Sequence, residues 1–475
     1  MKTIIKRRFR NKLTSLAVAA ACVGGLGFQS TAMAGTDANA LGDLALVPYY
    51  TVRGNFVTGV HIINTGPHTQ VVKFRMRRAE DSADALDVLL VMSPYDEWTG
   101  FISGSETDGI TLGSDDKTCT APAADANGKW KMPDINLTGA EEGYIEVIAM
   151  GQTTDETQAI AVAAKHDSNG VPKNCDEVRE NFFARALPLP GGVISNQETK
   201  NFAEVSSTYV DSANDLKVSY FIRDPQSGME FGNNAVHIKD FVPVSGAAMI
   251  TNQETGLSSG DAAGFDFPDL DGGGKNTGAG DPATGPANRG LYDAVVRLDL
   301  GGAAILNDYS KNQSNGVTTD WVVTIPGQYL MVNPNPPSPA INERDLPVTA
   351  TVEVWDREEK KYSSRNLVIS PDAGRGKTTL PWEVNIVRWG DKSIFETPNA
   401  RTISGFDAPY GWAKLTLASQ TDNPQQIYNL TDPTGGTKAA PNNPVPVIGY
   451  AAWRRTFNNA EKNYGRIIEH SRIPQ

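Results

Sequence analysis

Apolar and polar residues alternate with a period of two along much of this chain, a period that buries one face of a sheet but cannot bury one face of a helix. Val72, Phe74 and Met76 alternate with Lys73, Arg75 and Arg77. Leu216, Val218, Tyr220 and Ile222 do the same against Lys217, Ser219, Phe221 and Arg223, as do Val348, Ala350, Val352 and Val354 against Thr349, Thr351 and Glu353. The apolar members are expected to face a core and the others water. Further strands are expected at 56–63, 88–92, 144–150, 293–300, 321–325, 383–389, 412–417 and 445–453, and a short helix at 176–186. The 45 glycines and 29 prolines follow no Gly-X-Y period and supply turns. The fold class that follows is all-β, with two immunoglobulin-like or related β-sandwich domains.

Weak internal echoes point to duplication of the sandwich. Residues 47–53 are echoed by 218–223, 60–62 by 236–238, 90–94 by 367–371, 143–147 by 411–415, and 151–155 by 419–422. Each match alone reflects common strand composition; their shared order is what carries weight. On this reading 1–34 is a signal peptide, 35–165 the first β-sandwich, and 166–215 a linker with a short helix. Residues 216–475 are then the second sandwich, with insertions at 258–290 and 333–347. The first insertion is rich in Gly and Asp. The second holds Pro334, Pro336, Pro337 and Pro339 and is expected to be extended.

Residues 1–34 carry a basic start, a short apolar run and the small-x-small pattern Ala32-Met33-Ala34, so Sec export is expected. Phe9 directly follows Arg7-Arg8, one place too early for a twin-arginine signal, and Cys22 sits inside the apolar run, where it is lost with the signal. No later stretch is long and apolar enough for a transmembrane helix. Export removes six basic residues and no acid, taking the formal charge from -12 to about -18. Such a surface repels nucleic acid and anionic lipid. The destination is the periplasm, the outer surface or the medium. In an oxidising compartment the remaining Cys119 and Cys175 are expected to form a disulfide stapling two loops.

The sequence offers few sites for chemistry. In Phe267-Pro268-Asp269-Leu270-Asp271-Gly272, Asp269, Asp271 and Gly272 take the third, fifth and sixth places of a calcium loop. Phe267 and Gly278 stand where its first and last ligands belong, so Asp269 and Asp271 are calcium candidates only in a looser site, set against an ion-free acidic loop. The stretch around Ser258 has the letters of a nucleophile elbow without the strand before it or the helix after it. Asp96 and Glu97, beside Trp98, are the best paired carboxylates for glycoside hydrolysis, against a reading as a strand-end turn. Trp355, Trp382 and Trp389 are the candidates for an exposed ligand-binding row, the other tryptophans being assigned to the core.

The signal followed by Val47-Pro48-Tyr49-Tyr50, by Val60-His61-Ile62-Ile63-Asn64-Thr65 and by residues 71–78 resembles exported β-rich proteins of Gram-negative bacteria. That resemblance implies export and a β-rich build, and it transfers no functional residue. The reading reached is an exported cell-surface or extracellular structural or binding protein without catalytic activity. It uses no cofactor, with calcium the one ion in question. Its expected partners are cell-surface polysaccharide or further copies of itself. Two other classes stay open: a secreted polysaccharide hydrolase using Asp96 and Glu97, and a surface-array protein.

Overall fold

The computed structural model describes residues 35–36, 39–182, 208–241, 248–250, 268, 270, 292–331, 348–371, 375–417 and 445–474. Within them the alternating stretches become antiparallel ladders. A first set comprises β1 (Leu44–Thr51), β2 (Val57–Asn64), β3 (Gln70–Arg78), β4 (Asp84–Met92), β5 (Glu97–Ser105), β6 (Glu142–Thr153), β7 (Leu216–Asp224), β8 (Met229–Asn234) and β9 (Val236–Lys239). These form sheet A, in the order β9-β1-β6-β3-β4, and sheet B, in the order β8-β7-β2-β5, with shorter strands at the edges. A second set comprises β10 (Ala304–Ser310), β11 (Val317–Thr324), β12 (Val348–Asp356), β13 (Lys377–Leu380), β14 (Val384–Arg388), β15 (Tyr410–Leu417), β16 (Ile448–Arg455), β17 (Tyr464–Glu469) and β18 (Ser471–Ile473). Their sheets are C, β18-β10-β15-β12-β13, and D, β17-β16-β11-β14.

Sheet C repeats sheet A strand for strand, and sheet D repeats sheet B, with the corresponding strands in the same chain order. The two sets also share one close contact. On β6, Gly143 pairs with Tyr50, and a Cβ there would lie 1.8 Å from the Arg77 carbonyl oxygen and 2.7 Å from the Tyr50 ring. On β15, Gly411 pairs with Tyr309, and a Cβ would lie 2.0 Å from the Trp355 carbonyl oxygen and 2.7 Å from the Tyr309 hydroxyl. In both places only glycine lets a tyrosine and a neighbouring carbonyl approach together.

The repeat therefore runs in a different register from the one expected. Residues 47–53 and 218–223 fall on β1 and β7, and 60–62 and 236–238 on β2 and β9, all within the first set. Residues 90–94 run off the end of β4 in sheet A, whereas 367–371 include Val368–Ser370, an edge strand of the sheet D ladder. Of the expected pairs, 143–147 with 411–415 falls on corresponding strands, and 419–422 lie outside the described residues. The boundary at 216 moves too. β7 hydrogen-bonds along β2, from Leu216 opposite Asn64 to Arg223 opposite Val57, and β9 bonds to β1. Local strand composition cannot show which distant strand a segment will pair with. Residues 293–300 also depart from expectation, since Tyr292–Arg297 is a short π-helix.

Sheets A and B face each other across a core in which Phe74 lies 5.6 Å from Trp98. Sheets C and D enclose a second core, where Tyr309 stacks on Trp389 at 4.8 Å. Sheet A is covered on its other face as well. Helices α1 (Ala159–Ala164) and α2 (Cys175–Phe182), with residues 248–250 and 270 among others, share one buried apolar cluster with Leu44, Leu46, Leu89, Val91, Ile148 and Met150 there. Consequently Lys73, Arg75 and Arg77, expected in water, are 0, 0 and 3% exposed. Their charges are met within the sheet: Lys73 lies 2.8 Å from Asp87, Arg75 lies 3.5 Å from both Asp84 and Glu146, and Arg77 lies 3.2 Å from Glu146. Arg75 also donates to the Pro268 carbonyl at 3.0 Å. Among the described residues no helix is long and apolar enough to cross a membrane.

Cys119 and Cys175 are joined by a disulfide. It ties a strand to a helix rather than loop to loop, since Cys119 pairs opposite Val91 at the edge of sheet A and Cys175 opens α2. Arg179 of α2 donates to the Thr120 carbonyl at 3.1 Å beside it. Replacing both cysteines by serine is expected to cost about 3 kcal/mol in denaturant unfolding, and an unchanged midpoint would show that α2 docks without the tether. Glu146→Ala, which leaves two buried guanidinium groups short of an anion, is expected to destabilise by about 3–5 kcal/mol in the same measurement.

Candidate functional site

Sheet C has an outer face that the described chain leaves open. Along β12 the residues Val348, Ala350, Val352 and Val354 are buried, so Thr349, Thr351, Glu353 and Trp355 point the other way. Strand pairing then sets Trp412 of β15 opposite Trp355 and Lys414 opposite Glu353. Beyond β12, Lys361 stands opposite Trp355; beyond β15, Asp308 of β10 stands opposite Trp412. A row of Lys361, Trp355, Trp412 and Asp308 therefore crosses four neighbouring strands. The two indole rings are parallel to within 2°, with centroids 4.0 Å apart. Rings parallel at that distance on strands about 4.8 Å apart must stand like plates across the row. The Lys361 ammonium lies 4.9 Å from the Trp355 ring and also bonds the Glu353 carboxylate. Trp412 is 38% exposed.

A shallow cleft of about 290 Å³ opens where β12 and β15 end, lined in part by Asp356, Arg357, Lys360, Tyr362, Asp407 and Tyr410. The Tyr362 hydroxyl donates to Asp407 at 2.6 Å. That bond, followed by Asp407's own backbone N–H and the Lys360 ammonium, holds the Asp407 carboxyl below its usual value. Platform and cleft are joined through Tyr410, which lines the cleft and, two residues before Trp412 on β15, shares its parity.

Of the tryptophans expected to form a row, Trp355 is in place. Trp389 is in the core instead, 1% exposed and stacked on Tyr309, because it follows β14 on the side of sheet D that faces sheet C. Trp382 is partly buried away from this face, with the Arg401 guanidinium 5.6 Å from its ring. Trp412, assigned to the core from sequence, is the residue that was missed. The signal was present in Trp412-Ala413-Lys414-Leu415, where the indole shares its parity with lysine and not with leucine.

Asp96 and Glu97 are turned apart, as adjacent residues entering a strand must be. Glu97 points outward to His61, 3.5 Å away. Asp96 points inward, accepting from the Ser93 N–H at 3.3 Å and from the Thr118 hydroxyl at 3.1 Å, and burial pushes its carboxyl up. Ser93 and Asp96 both approach His166 at the same nitrogen, Nδ1, at 3.3 and 3.9 Å. A nucleophile–base–acid relay needs the two imidazole nitrogens divided between hydroxyl and carboxylate, so this cluster is not one. Ser258, Asp269 and Asp271 lie outside the described residues. Among the described residues no three His, Cys, Asp or Glu side chains are placed to hold a metal ion. Comparison with protein-family models, with curated proteins and with solved structures finds no match to this chain.

Several buried titratable groups lie away from this face. Burial pushes Asp43 from the usual 3.8 up to about 7, aided by the charges of Asp240 and Asp211 and opposed by the Phe241 N–H it accepts from at 2.9 Å. Burial likewise raises Asp320 and Asp299 to about 6. His470 runs the other way, pushed down to about 3 by burial. It is a neutral imidazole whose Nδ1 accepts from the Asn307 amide while its Nε2–H donates to the Val322 carbonyl, each at 2.9 Å. The folded chain holds the Asp43 proton more tightly than the unfolded chain, so that stabilisation is full below about pH 4 and is lost as pH rises through about 7. Asp43→Asn is therefore expected to raise the melting temperature at pH 8, with the gain shrinking towards pH 4; an equal shift at both pH values would remove Asp43 from the pH dependence.

Proposed function

We propose that this protein is exported and binds polysaccharide at the cell surface or outside the cell through the outer face of sheet C, without turning it over. The stacked pair Trp355–Trp412 carries the reading. An exposed indole presents a flat apolar surface to the C–H face of a sugar ring, while nearby acids and lysines exchange hydrogen bonds with its hydroxyls. Both kinds of group occur here in one register row, on strands whose opposite face is locked into a core. The platform is broad and open, which suits a long chain held along its length better than a small molecule enclosed. The basic, apolar and Ala-x-Ala segments of residues 1–34 support export, and the disulfide suits an oxidising destination.

The test incubates the protein with insoluble polysaccharides, follows the bound fraction and assays new reducing ends. Binding without reducing ends is expected, and the double variant Trp355→Ala/Trp412→Ala should lower affinity by about tenfold or more. Phe101→Ala, on the outer face of sheet B, should leave it unchanged. Full binding by the double variant would move the site elsewhere. Reducing ends lost in Asp96→Asn or Glu97→Gln would replace this reading with the hydrolase.

A further inference from the structure

Resting on that reading, the row across sheet C also indicates the class of sugar and where one ring of it sits. Trp355 covers one face of the Trp412 indole, at 4.0 Å and 2°. Because the rings stand across the row, the other face of Trp412 opens towards β10, and Trp412 is the more exposed of the two, at 38%. The residue paired with it there is Asp308, which is exposed and on the same face of the sheet. Its position is held from beneath: the Asp308 carbonyl accepts from the buried Trp321 indole N–H at 2.8 Å, and its own N–H donates to Asn307 at 2.8 Å. An aromatic plate beside a carboxylate whose backbone is held in place is a subsite for a ring that is apolar on its face and carries hydroxyl donors at its rim.

We infer that the outer face of Trp412 and the Asp308 carboxylate form a pyranose subsite for a neutral glycan, with Asp308 accepting from a ring hydroxyl. Charge decides against an acidic glycan. The two lysines nearest the pair, Lys361 and Lys414, are turned to Glu353, within bonding distance and at 3.9 Å respectively, and the third lysine of the face, Lys377, stands farther off, opposite Thr351. Asp308 stands beside the open face of Trp412, the place on the far side of the pair being taken by the Glu353-bound Lys361, on a chain of formal charge -12. A uronate or sulfate would meet the Asp308 carboxylate at the subsite and the field of an acidic chain on approach. A neutral chain continuing from the Trp412 plate would reach the cleft at Tyr410 and Asp407, where further hydroxyl partners stand.

Tryptophan fluorescence titration of the purified protein with cellohexaose, xylohexaose, chitohexaose and maltohexaose, alongside hexagalacturonate, tests this. Saturable binding of at least one neutral hexasaccharide is expected, weakened about tenfold by Trp412→Ala and about threefold by Asp308→Asn. Phe101→Ala should bind as the parent does. Binding of hexagalacturonate alone, abolished by Trp412→Ala, would overturn the neutral subsite while leaving polysaccharide binding at this face intact. Neutral binding that ignores both Trp412→Ala and Asp308→Asn would overturn the subsite and move the site. If no sugar binds and gel filtration shows a dimer that Trp412→Ala dissolves, the face is an interface between copies, and both the subsite and the broader reading fall. No sugar binding and no dimer would overturn both as well.

Discussion

Sheet A is buried on both faces, and much of the molecule follows from that. A sheet with one wet face can discard its charges into solvent, whereas one covered twice must neutralise whatever polar residues its strands carry. Half of the outer face is apolar and lies beneath α1 and α2; the other half holds Lys73, Arg75 and Arg77 against Asp84, Asp87 and Glu146. The Tyr144 hydroxyl extends the network, donating to Glu146 at 3.0 Å and meeting Ser82 at 3.0 Å. Such a network adds little net stability over well-packed apolar residues, but it tolerates no missing member. It therefore holds β3, β4 and β6 in one register.

The repeated topology shows what covering does to a face. Aligned on Gly143 and Gly411, Arg77 corresponds to Trp355, Tyr144 to Trp412, Arg75 to Glu353 and Glu146 to Lys414. In sheet A these positions lie inside the protein as a closed ion network. In sheet C the same positions face out and carry stacked indoles flanked by charge. One backbone plan thus serves as an internal joint in its first copy and as an exposed platform in its second. The opposite face is apolar in both sets, with Phe74 in one and Tyr309 in the other, because both face a partner sheet.

The two copies meet along β1 and the outer face of sheet D. Thr324 donates to the Pro48 carbonyl at 2.5 Å, Val384 to the Ala79 carbonyl at 3.1 Å, and Thr397 to Glu142 at 2.8 Å. Tyr49 packs edge-on against Phe395 at 5.0 Å. Sheet D is covered on this side by the first set and on the other by sheet C, which explains why β11 is buried along its whole length. Among the described residues, the face left open in the second set is therefore the outer face of sheet C, backed by two further layers.

The period-two pattern by itself determined that the chain is all-β, and which parity of each strand is apolar. Parity placed Val72, Phe74 and Met76 in a core correctly, and would have placed Trp412 outward had it been weighed above the apolar character of indole. The two cysteines beyond residues 1–34 were enough to predict their pairing. Tertiary structure alone decided the rest. It chose which strands pair, so that 216–239 joined the first set. It also set the true register of the repeat, and it put Lys73, Arg75 and Arg77 inside while Trp355 and Trp412 stayed outside. The physical reason is common to all of these: alternation records that a strand has two unlike faces, whereas what covers each face is set by segments far away in the chain, through hydrogen bonds and contacts that carry no local signature.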